Sequence, residues 1–528
     1  MKRYCHLIYV IVLSLLLDGI AYAQYPNIRI SSVSSSDPNE VSISVNPVDG
    51  AFIAAGANLN YIYTSNDSGK TWVQLRGSST LGMAGDPCFV YDGSGNLFYG
   101  HLSSPVGGGW LDRMVVQIST DNGANWNNGA GIGLNSPKQQ DKEWIISDRT
   151  NSQFKNNLYI SWTEFDRYGS SDPNDSTRIL CSYSTDGGIN WSNPSKVSDK
   201  GGDCRDEDRT VEGAVPAVGP NGEVYVAWSA NNEILFDKSL DGGKTFGKDI
   251  FVANQPGGWD FAVSGIYRCN GLPVTLCDIS NSPYRGNIYV VWSDTRNGAS
   301  DPDVFISKST DGGSTWSETN RINDDNANRA QFFPWAAVDQ STGYIYVVFY
   351  DRRNYADNQT DVYLAVSKDG GNTFKNLKIS DTPFIPDPSV FFGDYTCIAA
   401  ENGNIYPIWM RMDDKSLSIW TARIKQNSVV AVEENENGKV PEGYELSQNY
   451  PNPFNPSTTI SFSLPAASEV TLKIFDAGGR EVDTIIKGKM TAGKHQINYD
   501  ASKLSSGRYF YKLEAGGVIL TKKMIYQK

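Results

Sequence analysis

Acidic residues stand at the start of several short apolar stretches in this sequence of 528 residues. Each stretch is a polar residue, a few apolar residues and a turn, which is typical of a short strand. The residues at these starts are Glu40, Asp86, Asp141, Glu143, Glu212 and Asp394, with Tyr395 beside the last. Carboxylates that meet in a partly dry site can act as general acids or bases, or hold a cation. Whether these residues meet depends on the fold.

A repeated motif, Ser-x-Asp-x-Gly-x-(Thr/Asn)-(Trp/Phe), indicates that fold. It occurs six times, with its aspartates 54, 65, 55, 70 and 58 residues apart, and each copy follows an alternating, strand-like run. The aspartates are Asp67, Asp121, Asp186, Asp241, Asp311 and Asp369. Glycine reaches positive φ at little cost and aspartate caps backbone amides, so the motif predicts a tight turn. A residue needed for one reaction would not recur in every repeat, and we therefore interpret the motif as structural.

The repeat period predicts a propeller. About four strands fit into each period, which is typical of a propeller blade. The motif is the Asp-box, or BNR repeat, and residues 24–425 resemble the sialidase superfamily. We predict an all-β fold, a six-bladed β-propeller followed by a small β-sandwich C-terminal domain. Because the innermost strands of a propeller surround its axis, the acidic residues at the strand starts are predicted to line one funnel.

The resemblance to sialidases assigns roles to a few residues. Sialidases bind the carboxylate of their sugar with three arginines, and they use a tyrosine nucleophile assisted by a glutamate. Tyr395 stands where the resemblance implies the nucleophile, and Glu212 where it implies the assisting glutamate. Arg29 resembles the N-terminal arginine of the family. Asp86, Asp141 and Glu143 are predicted to contact the substrate, while Asp394 or Glu212 supplies acid/base chemistry.

The arginine triad is incomplete. Trp228 stands where a second arginine is expected, and the third position falls at Thr360 or Asp361. Without the three arginines, a sugar that carries a carboxylate is repelled by the acidic residues of the funnel, by about 1 kcal/mol or more per close pair of charges. The sequence therefore predicts a secreted or cell-surface propeller that engages an extracellular glycan or glycoprotein and is not a true sialidase. If the propeller is catalytic, it is predicted to be an exo-glycosidase.

Two alternatives stay open. The propeller can be a non-catalytic carbohydrate- or protein-binding module in which carboxylates hold a structural cation such as calcium. Each carboxylate can also simply cap the start of its strand and face solvent. No cofactor is required by any of these hypotheses.

The two ends of the chain predict export. Residues 1–23 have the basic start, short apolar run and Ala-x-Ala site of a signal peptide, and no stretch is long enough for a membrane span. Residues 426–443 are polar and charged, as in a linker. Residues 444–528, with Tyr-Pro-Asn-Pro-Phe-Asn-Pro near their start, resemble the type IX secretion C-terminal sorting domain. The resemblance implies that the type IX machinery is a partner and that the protein is secreted or attached to the outer surface.

Charge, histidine content and cysteine spacing narrow the function further. A net charge of −13 makes nucleic acid an unfavourable partner, and three histidines leave little scope for histidine-based catalysis or a zinc site. Exported proteins can form disulfides, and Cys269 and Cys277, which flank a seven-residue loop, are the predicted pair.

Overall fold

The computed structural model describes residues 25–326, 328–429, 443–449, 451–491 and 493–528. The predicted signal peptide and most of the predicted linker lie outside these residues. The chain divides into two compact units, Met1–Gln426 and Asn427–Lys528. In the part of the chain that the structure describes, no helix has the length and apolar character needed to cross a membrane.

The first unit is built from four-stranded antiparallel sheets in which each strand pairs with the next along the chain. The strands of the first three are β2 (Val41–Val45), β3 (Ile53–Ala57), β4 (Tyr61–Ser65) and β5 (Val73–Arg76); β6 (Gly85–Tyr91), β7 (Leu97–Leu102), β8 (Met114–Ser119) and β9 (Ala130–Ile132); and β10 (Gln139–Ser147), β11 (Leu158–Phe165), β12 (Thr177–Ser184) and β13 (Ser195–Lys196). The next three contain β14 (Glu212–Val218), β15 (Val224–Ala230), β16 (Glu233–Ser239) and β17 (Ile250–Asn254); β20 (Val274–Cys277), β21 (Ile288–Asp294), β22 (Asp303–Ser309) and β23 (Asn320–Arg321); and β24 (Gln331–Asp339), β25 (Tyr344–Asp351), β26 (Asp361–Ser367) and β27 (Lys375–Lys378).

A seventh sheet joins the two ends of this unit. Its strands are β28 (Cys397–Glu401), β29 (Asn404–Asp413), β30 (Ser416–Ala422) and, as the outer strand, β1 (Asn27–Arg29), with β31 (Ile424–Lys425) also paired to β29. A short ribbon of β18 (Asp260–Phe261) and β19 (Cys269–Asn270) lies between the fourth and fifth sheets along the chain. The inner strands β2, β6, β10, β14, β20, β24 and β28 contact one another in this order, and β28 contacts β2. The seven sheets therefore close into a ring, which is a β-propeller.

The prediction of six blades is wrong by one, and the strand order explains why. Each Asp-box connects the third strand of a blade to its fourth, as between β4 and β5. In the last blade the fourth strand is β1, which comes from the beginning of the chain, so no connecting loop exists there to carry a box. Six boxes therefore correspond to seven blades.

The hydrogen bonds of the Asp-boxes agree with a structural role. In the third box the Ser184 hydroxyl donates to Asp186 (2.9 Å), and Asp186 accepts from the backbone and side-chain amides of Asn190 (2.9 and 2.7 Å). The Trp191 indole donates to the Gly188 carbonyl (3.1 Å). Every bond is made within the motif, so each box closes its own turn.

Large rings fill the space between blades. Trp162, Trp228, Trp292 and Phe349, which the sequence places at equivalent points of second strands, are all fully buried. Middle strands such as β11 and β15 are buried along their whole length, because each blade is covered on both faces by its neighbours. Trp228 thus belongs to the core, and this explains why an arginine is absent at that position.

The second unit is a sandwich of two sheets, as predicted. One sheet contains β32 (Glu445–Leu446), β33 (Ser457–Leu464) and β36 (Gly493–Asp500); the other contains β34 (Ser468–Asp476), β35 (Glu481–Met490), β37 (Gly507–Ala515) and β38 (Val518–Tyr526). Phe462 from the first sheet and Leu472, Ile474 and Tyr511 from the second share one buried core. This unit therefore has a core of its own.

The predicted disulfide between Cys269 and Cys277 is not present. Both residues are buried free thiols, as are Cys88, Cys181, Cys204 and Cys397. Cys269 lies in the β18–β19 ribbon, whereas Cys277 ends the extended strand β20 and pairs with Ile288. The two thiols therefore belong to different sheets.

Candidate functional site

The inner strands of four blades share a β-bulge where they reach the axis. Their ladders shift register within residues 85–88, 141–144, 212–215 and 332–335. The residues in the left-handed conformation at these bulges are Asp86 (φ 50°), Lys142 (φ 56°), Gly213 (φ 81°) and Phe333 (φ 50°). A bulge leaves one residue unpaired and re-aims its neighbours, and non-glycine residues in this conformation cluster at functional sites. The bulges turn charged and aromatic side chains toward one pocket on the axis.

That pocket is narrow and has both acidic and aromatic walls. Its free volume is about 30 Å³, and it is lined by residues that include Asp86, Glu143, Asp394 and Tyr395. Typical ligand pockets measure several hundred Å³, so this pocket has room for a group of a few atoms.

Three aromatic rings form one side of the pocket. The Trp144 and Trp335 ring centroids are 4.3 Å apart, and the Tyr395 centroid lies 5.8 and 5.7 Å from them. The Lys142 ammonium lies 4.2 Å from the centroid of the Tyr395 ring, which is a cation–π contact. Trp144 and Trp335 also line a second cavity of about 220 Å³.

We call the carboxylates and cations around this pocket the axial cluster. Its members are Glu40, Asp86, Asp141, Glu143, Asp206, Glu212 and Asp394, with Lys142 and Arg268. The Arg268 guanidinium donates to both oxygens of Asp394, one bond being 3.0 Å, and forms an ion pair with Asp206 (3.2 Å). The Lys142 ammonium lies 3.8 Å from an Asp394 oxygen. Asp394 is therefore the carboxylate held by both cations.

Protonation differs sharply within the axial cluster. Burial raises the pKa of Glu143 and of Glu212 well above the usual carboxyl range, and it raises the pKa of Asp141 to about 8. Burial also acts on Asp394, but Lys142 and Arg268 outweigh it and lower the pKa of that carboxyl. Burial alone would lower the pKa of Lys142, but Asp394 and the neighbouring carboxyls outweigh it and raise that pKa to about 12. Carboxyls with raised pKa values thus stand beside one whose pKa is lowered.

Glu40 and Asp86 are tied to each other by Asn58. The Asn58 side-chain amide donates to Glu40, while its carbonyl oxygen accepts from the Asp86 backbone amide at 2.8 Å. Burial raises the pKa of both carboxyls, and each lies in the field of the other. This pair lies at the start of the inner strands of the first two blades. Because the pKa values of both carboxyls are raised, they take up protons at a higher pH than isolated carboxylates do.

The structure brings most of the predicted site residues together. Asp86, Glu143, Asp394 and Tyr395 line the pocket, and Glu212 is close enough to interact with Asp141 and Lys142. Burial, followed by the nearby Asp86, raises the pKa of Tyr395 well above its usual value. A phenol in this state needs an adjacent base before it can attack a sugar.

Arg29 is not part of the axial cluster. It lies on β1, the outermost strand of its blade, where it pairs with Trp420, and its guanidinium donates to the Ser31 carbonyl at 3.1 Å. The prediction that Arg29 contacts the substrate at the axis is therefore not supported. The outer strand of a blade is the one farthest from the axis, and a side chain there cannot reach the funnel.

Two members of the site were missed from sequence because they lie outside the inner strands of the blades. Asp206 lies between β13 and β14, and it also accepts a hydrogen bond from the Tyr168 hydroxyl (2.7 Å). The Asn270 side chain donates to the Asp394 carbonyl at 2.9 Å. The one sequence signal for this region is the charged run Arg205–Arg209, which is also typical of an exposed loop.

The calcium hypothesis receives no support from the residue geometry. Among the described residues, no group of three or more histidine, cysteine, aspartate or glutamate side chains is arranged to hold a metal ion. The acidic turns around Asp303 and Asp325 are bridged by the Asn323 amide, which donates to both (2.5 and 2.7 Å).

Comparison with known families concerns the two units separately. Residues 448–527 match the model of the secretion system C-terminal sorting domain. The C-terminal unit resembles that sorting domain. A sorting domain of this kind indicates export by type IX secretion to the cell surface or the extracellular space. Residues 182–193, which contain the third Asp-box, match the BNR/Asp-box repeat. No curated protein matches the chain in sequence.

Similarity to solved structures is distant. A protein of unknown function from Dyadobacter fermentans is 16% identical, covers 62% of this chain and 94% of its own, and has a TM-score of 0.41. The NanB sialidase from Streptococcus pneumoniae is 11% identical over 77% of this chain and 99% of its own, with a TM-score of 0.41. An alpha-L-arabinofuranosidase from Fusarium graminearum is 11% identical over 65% and 92%, with a TM-score of 0.40.

Proposed function

We propose that the protein is an exported glycoside hydrolase that holds the end of an extracellular glycan at the axial pocket. The observation that carries this proposal is the contrast between two pocket carboxyls: burial raises the pKa of Glu143 well above the usual carboxyl range, whereas Lys142 and Arg268 outweigh burial and lower the pKa of Asp394. The first shift favours the neutral form and the second the ionised form. Glycoside cleavage needs one protonated carboxyl, which acts as the general acid, and one ionised carboxyl. The two environments therefore divide the roles between Glu143 and Asp394.

In this mechanism Glu143 is the general acid. Its carboxyl is 2% exposed and lines the pocket, so its proton is available to the glycosidic oxygen of a sugar at the mouth. The ionised Asp394 stabilises the positive charge that develops on the sugar ring. Because Arg268 and Lys142 already hold Asp394, we assign it electrostatic stabilisation rather than nucleophilic attack. Tyr395 contributes a ring surface and a hydroxyl beside them.

The charge of the site sets the substrate range. The arginine of the axial cluster, Arg268, is engaged by Asp394 and Asp206. An anionic sugar would be repelled by the carboxylates, and Arg268 is not free to bind it. Neutral or basic end groups are favoured for this reason, and sialosides are disfavoured.

The test is a screen of aryl glycosides with the purified protein. We expect turnover of a neutral or basic glycoside and none of a sialoside. Glu143→Gln should lower kcat by about 10²- to 10⁴-fold, which is the usual contribution of a general acid. Asp237→Asn is the matched control, since Asp237 is a buried carboxyl of the fourth blade outside the axial cluster. Normal turnover by Glu143→Gln would contradict the mechanism, and normal turnover by Tyr395→Phe would exclude a nucleophilic role for Tyr395.

A second candidate, non-catalytic binding, is favoured by the small volume of the pocket, about 30 Å³. In that case no glycoside is turned over, and Glu143→Gln changes only the affinity for the bound glycan.

A further inference from the structure

The axial cluster contains more acidic groups than basic ones. Seven carboxyls, Glu40, Asp86, Asp141, Glu143, Asp206, Glu212 and Asp394, surround two cations, Lys142 and Arg268. Asp260 and Asp208 add acidic groups at the rim, and burial and mutual repulsion raise the pKa of Asp260. Raised pKa values favour the neutral forms of most of these carboxyls, and a cation that enters the pocket can take the place of one of their protons.

Glu143 points to a ligand independently of this imbalance. Its side chain is 2% exposed, and neither carboxyl oxygen has a hydrogen-bond partner on another described residue. A buried polar group without a partner costs about 1–3 kcal/mol, and native proteins retain few of them. Glu143 lines the pocket, so a donor that enters the pocket would supply the missing bonds.

The aromatic wall suits a cationic donor. Trp144, Trp335 and Tyr395 form one side of the pocket, and the Lys142 ammonium already lies on the Tyr395 ring. Tryptophan and tyrosine faces attract ammonium groups. The free volume of about 30 Å³ fits a group of a few atoms, whereas an acetamido group is larger and carries no charge.

We propose that the group bound in the axial pocket is a primary ammonium, carried by an amino sugar whose nitrogen is not acetylated. The ammonium is recognised by Glu143 and by the rings of Trp144 and Trp335. The sugar part of this inference rests on the proposed glycan-binding function, whereas the ammonium part rests on the pocket alone.

Titration calorimetry with the full exported chain tests this proposal. The probes are three β-1,4-linked oligosaccharides of equal length: one with free amines, one with N-acetyl groups and one with hydroxyls in their place. We expect the free amine to bind at least 10-fold more tightly than the other two, with affinity that falls as salt rises. Equal binding of all three would overturn the ammonium proposal and leave the glycan function standing.

Propylammonium and propanol, which carry no sugar, are two further probes. They test the ammonium part of the proposal apart from the glycan part. If no oligosaccharide binds and propylammonium still binds in preference to propanol, the glycan function is overturned and the ammonium site is supported. If none of the five probes binds, the ammonium proposal is overturned. A result in which the acetylated sugar binds best would also overturn it.

Variants then locate the site. Glu143→Gln keeps the shape of the side chain and removes its ability to ionise beside an ammonium, and we expect it to reduce the preference for the free amine over the hydroxyl sugar to less than 3-fold. Asp237→Asn, the buried carboxyl outside the pocket, should keep the full preference. If Glu143→Gln does not fold, Trp335→Phe is the second variant, because it removes ring surface from the same wall; an unchanged preference in a folded variant would contradict the assignment.

Discussion

Lys142 determines the charge balance of the axial pocket at the residue scale. It is held in a left-handed conformation by the bulge of β10, with its ammonium 3.8 Å from Asp394 and above the Tyr395 ring. Bringing so many carboxyls together is costly unless they are compensated by cations or protons. Lys142 and Arg268 supply the cations, and the raised pKa values of the other carboxyls supply the protons.

Replacement of Lys142 by methionine should destabilise the propeller in a pH-dependent way. Removing one partner of a buried ion pair leaves the other uncompensated, and we expect a loss of about 3 kcal/mol at pH 7. Asp394 has a lowered pKa in the folded state, so the stability it contributes is present at neutral pH and lost as the pH falls through its folded pKa. The deficit of Lys142→Met should therefore shrink as the pH falls below the ordinary carboxyl range.

Urea unfolding at pH 7 and at acid pH measures this effect. Lys142→Arg keeps the positive charge and serves as the control, with less than half of the loss expected. An equal loss of stability at both pH values would show that the Lys142 side chain contributes through packing and does not compensate the charge of Asp394.

The Asp-box is the unit that connects outer strands at the element scale. In the sixth box Asp369 accepts from the backbone amides of Asn372 (3.1 Å) and Thr373 (2.9 Å), from the Thr373 hydroxyl (2.6 Å), and from the Ser367 hydroxyl (2.9 Å). Opposing the effect of burial, these bonds lower the pKa of Asp369. A single carboxylate thus organises the turn between β26 and β27.

We expect Asp369→Ala to lower the free energy of unfolding by about 1–2 kcal/mol, because a charged acceptor with several donors is lost. The pocket residues are untouched, so ligand binding should not change. The change in urea midpoint measures the effect, and Glu318→Ala, at an exposed position of the same unit, is the control. A loss below 0.3 kcal/mol for Asp369→Ala would show that the turn is fixed by its glycines alone.

The ring is closed by strand β1 at the scale of the whole molecule. This strand pairs with β30 at Asn27, Ile28 and Arg29, and it joins residues that are nearly 400 positions apart in the sequence. Tyr25 and Ile30, on either side of the strand, are buried. Closure therefore depends on a few residues at the start of the first unit.

Removal of residues 25–31 from the exported chain should lower the melting temperature by roughly 5–10 °C. The estimate comes from the burial lost at two or three apolar side chains, about 1.5–3 kcal/mol each, and the usual shift per kcal/mol. Differential scanning calorimetry measures it, and a synthetic peptide of residues 25–32 should restore part of the loss. An unchanged melting temperature would mean that the ring does not need this strand.

Features that depend on nearby residues could be predicted from the sequence. The Asp-boxes, the alternating strands and the sorting domain are local patterns, and the equivalent position of Asp86, Asp141 and Glu212 on inner strands led to the axial pocket. The number of blades did not follow from these patterns, because the last sheet pairs the two ends of the unit. The pairing of Asp394 with Arg268 also required the fold, since these residues are 126 positions apart. The pKa shifts depend on the fold as well, because burial of Glu143 raises its pKa and the placement of Lys142 and Arg268 lowers that of Asp394, and both are properties of the closed ring.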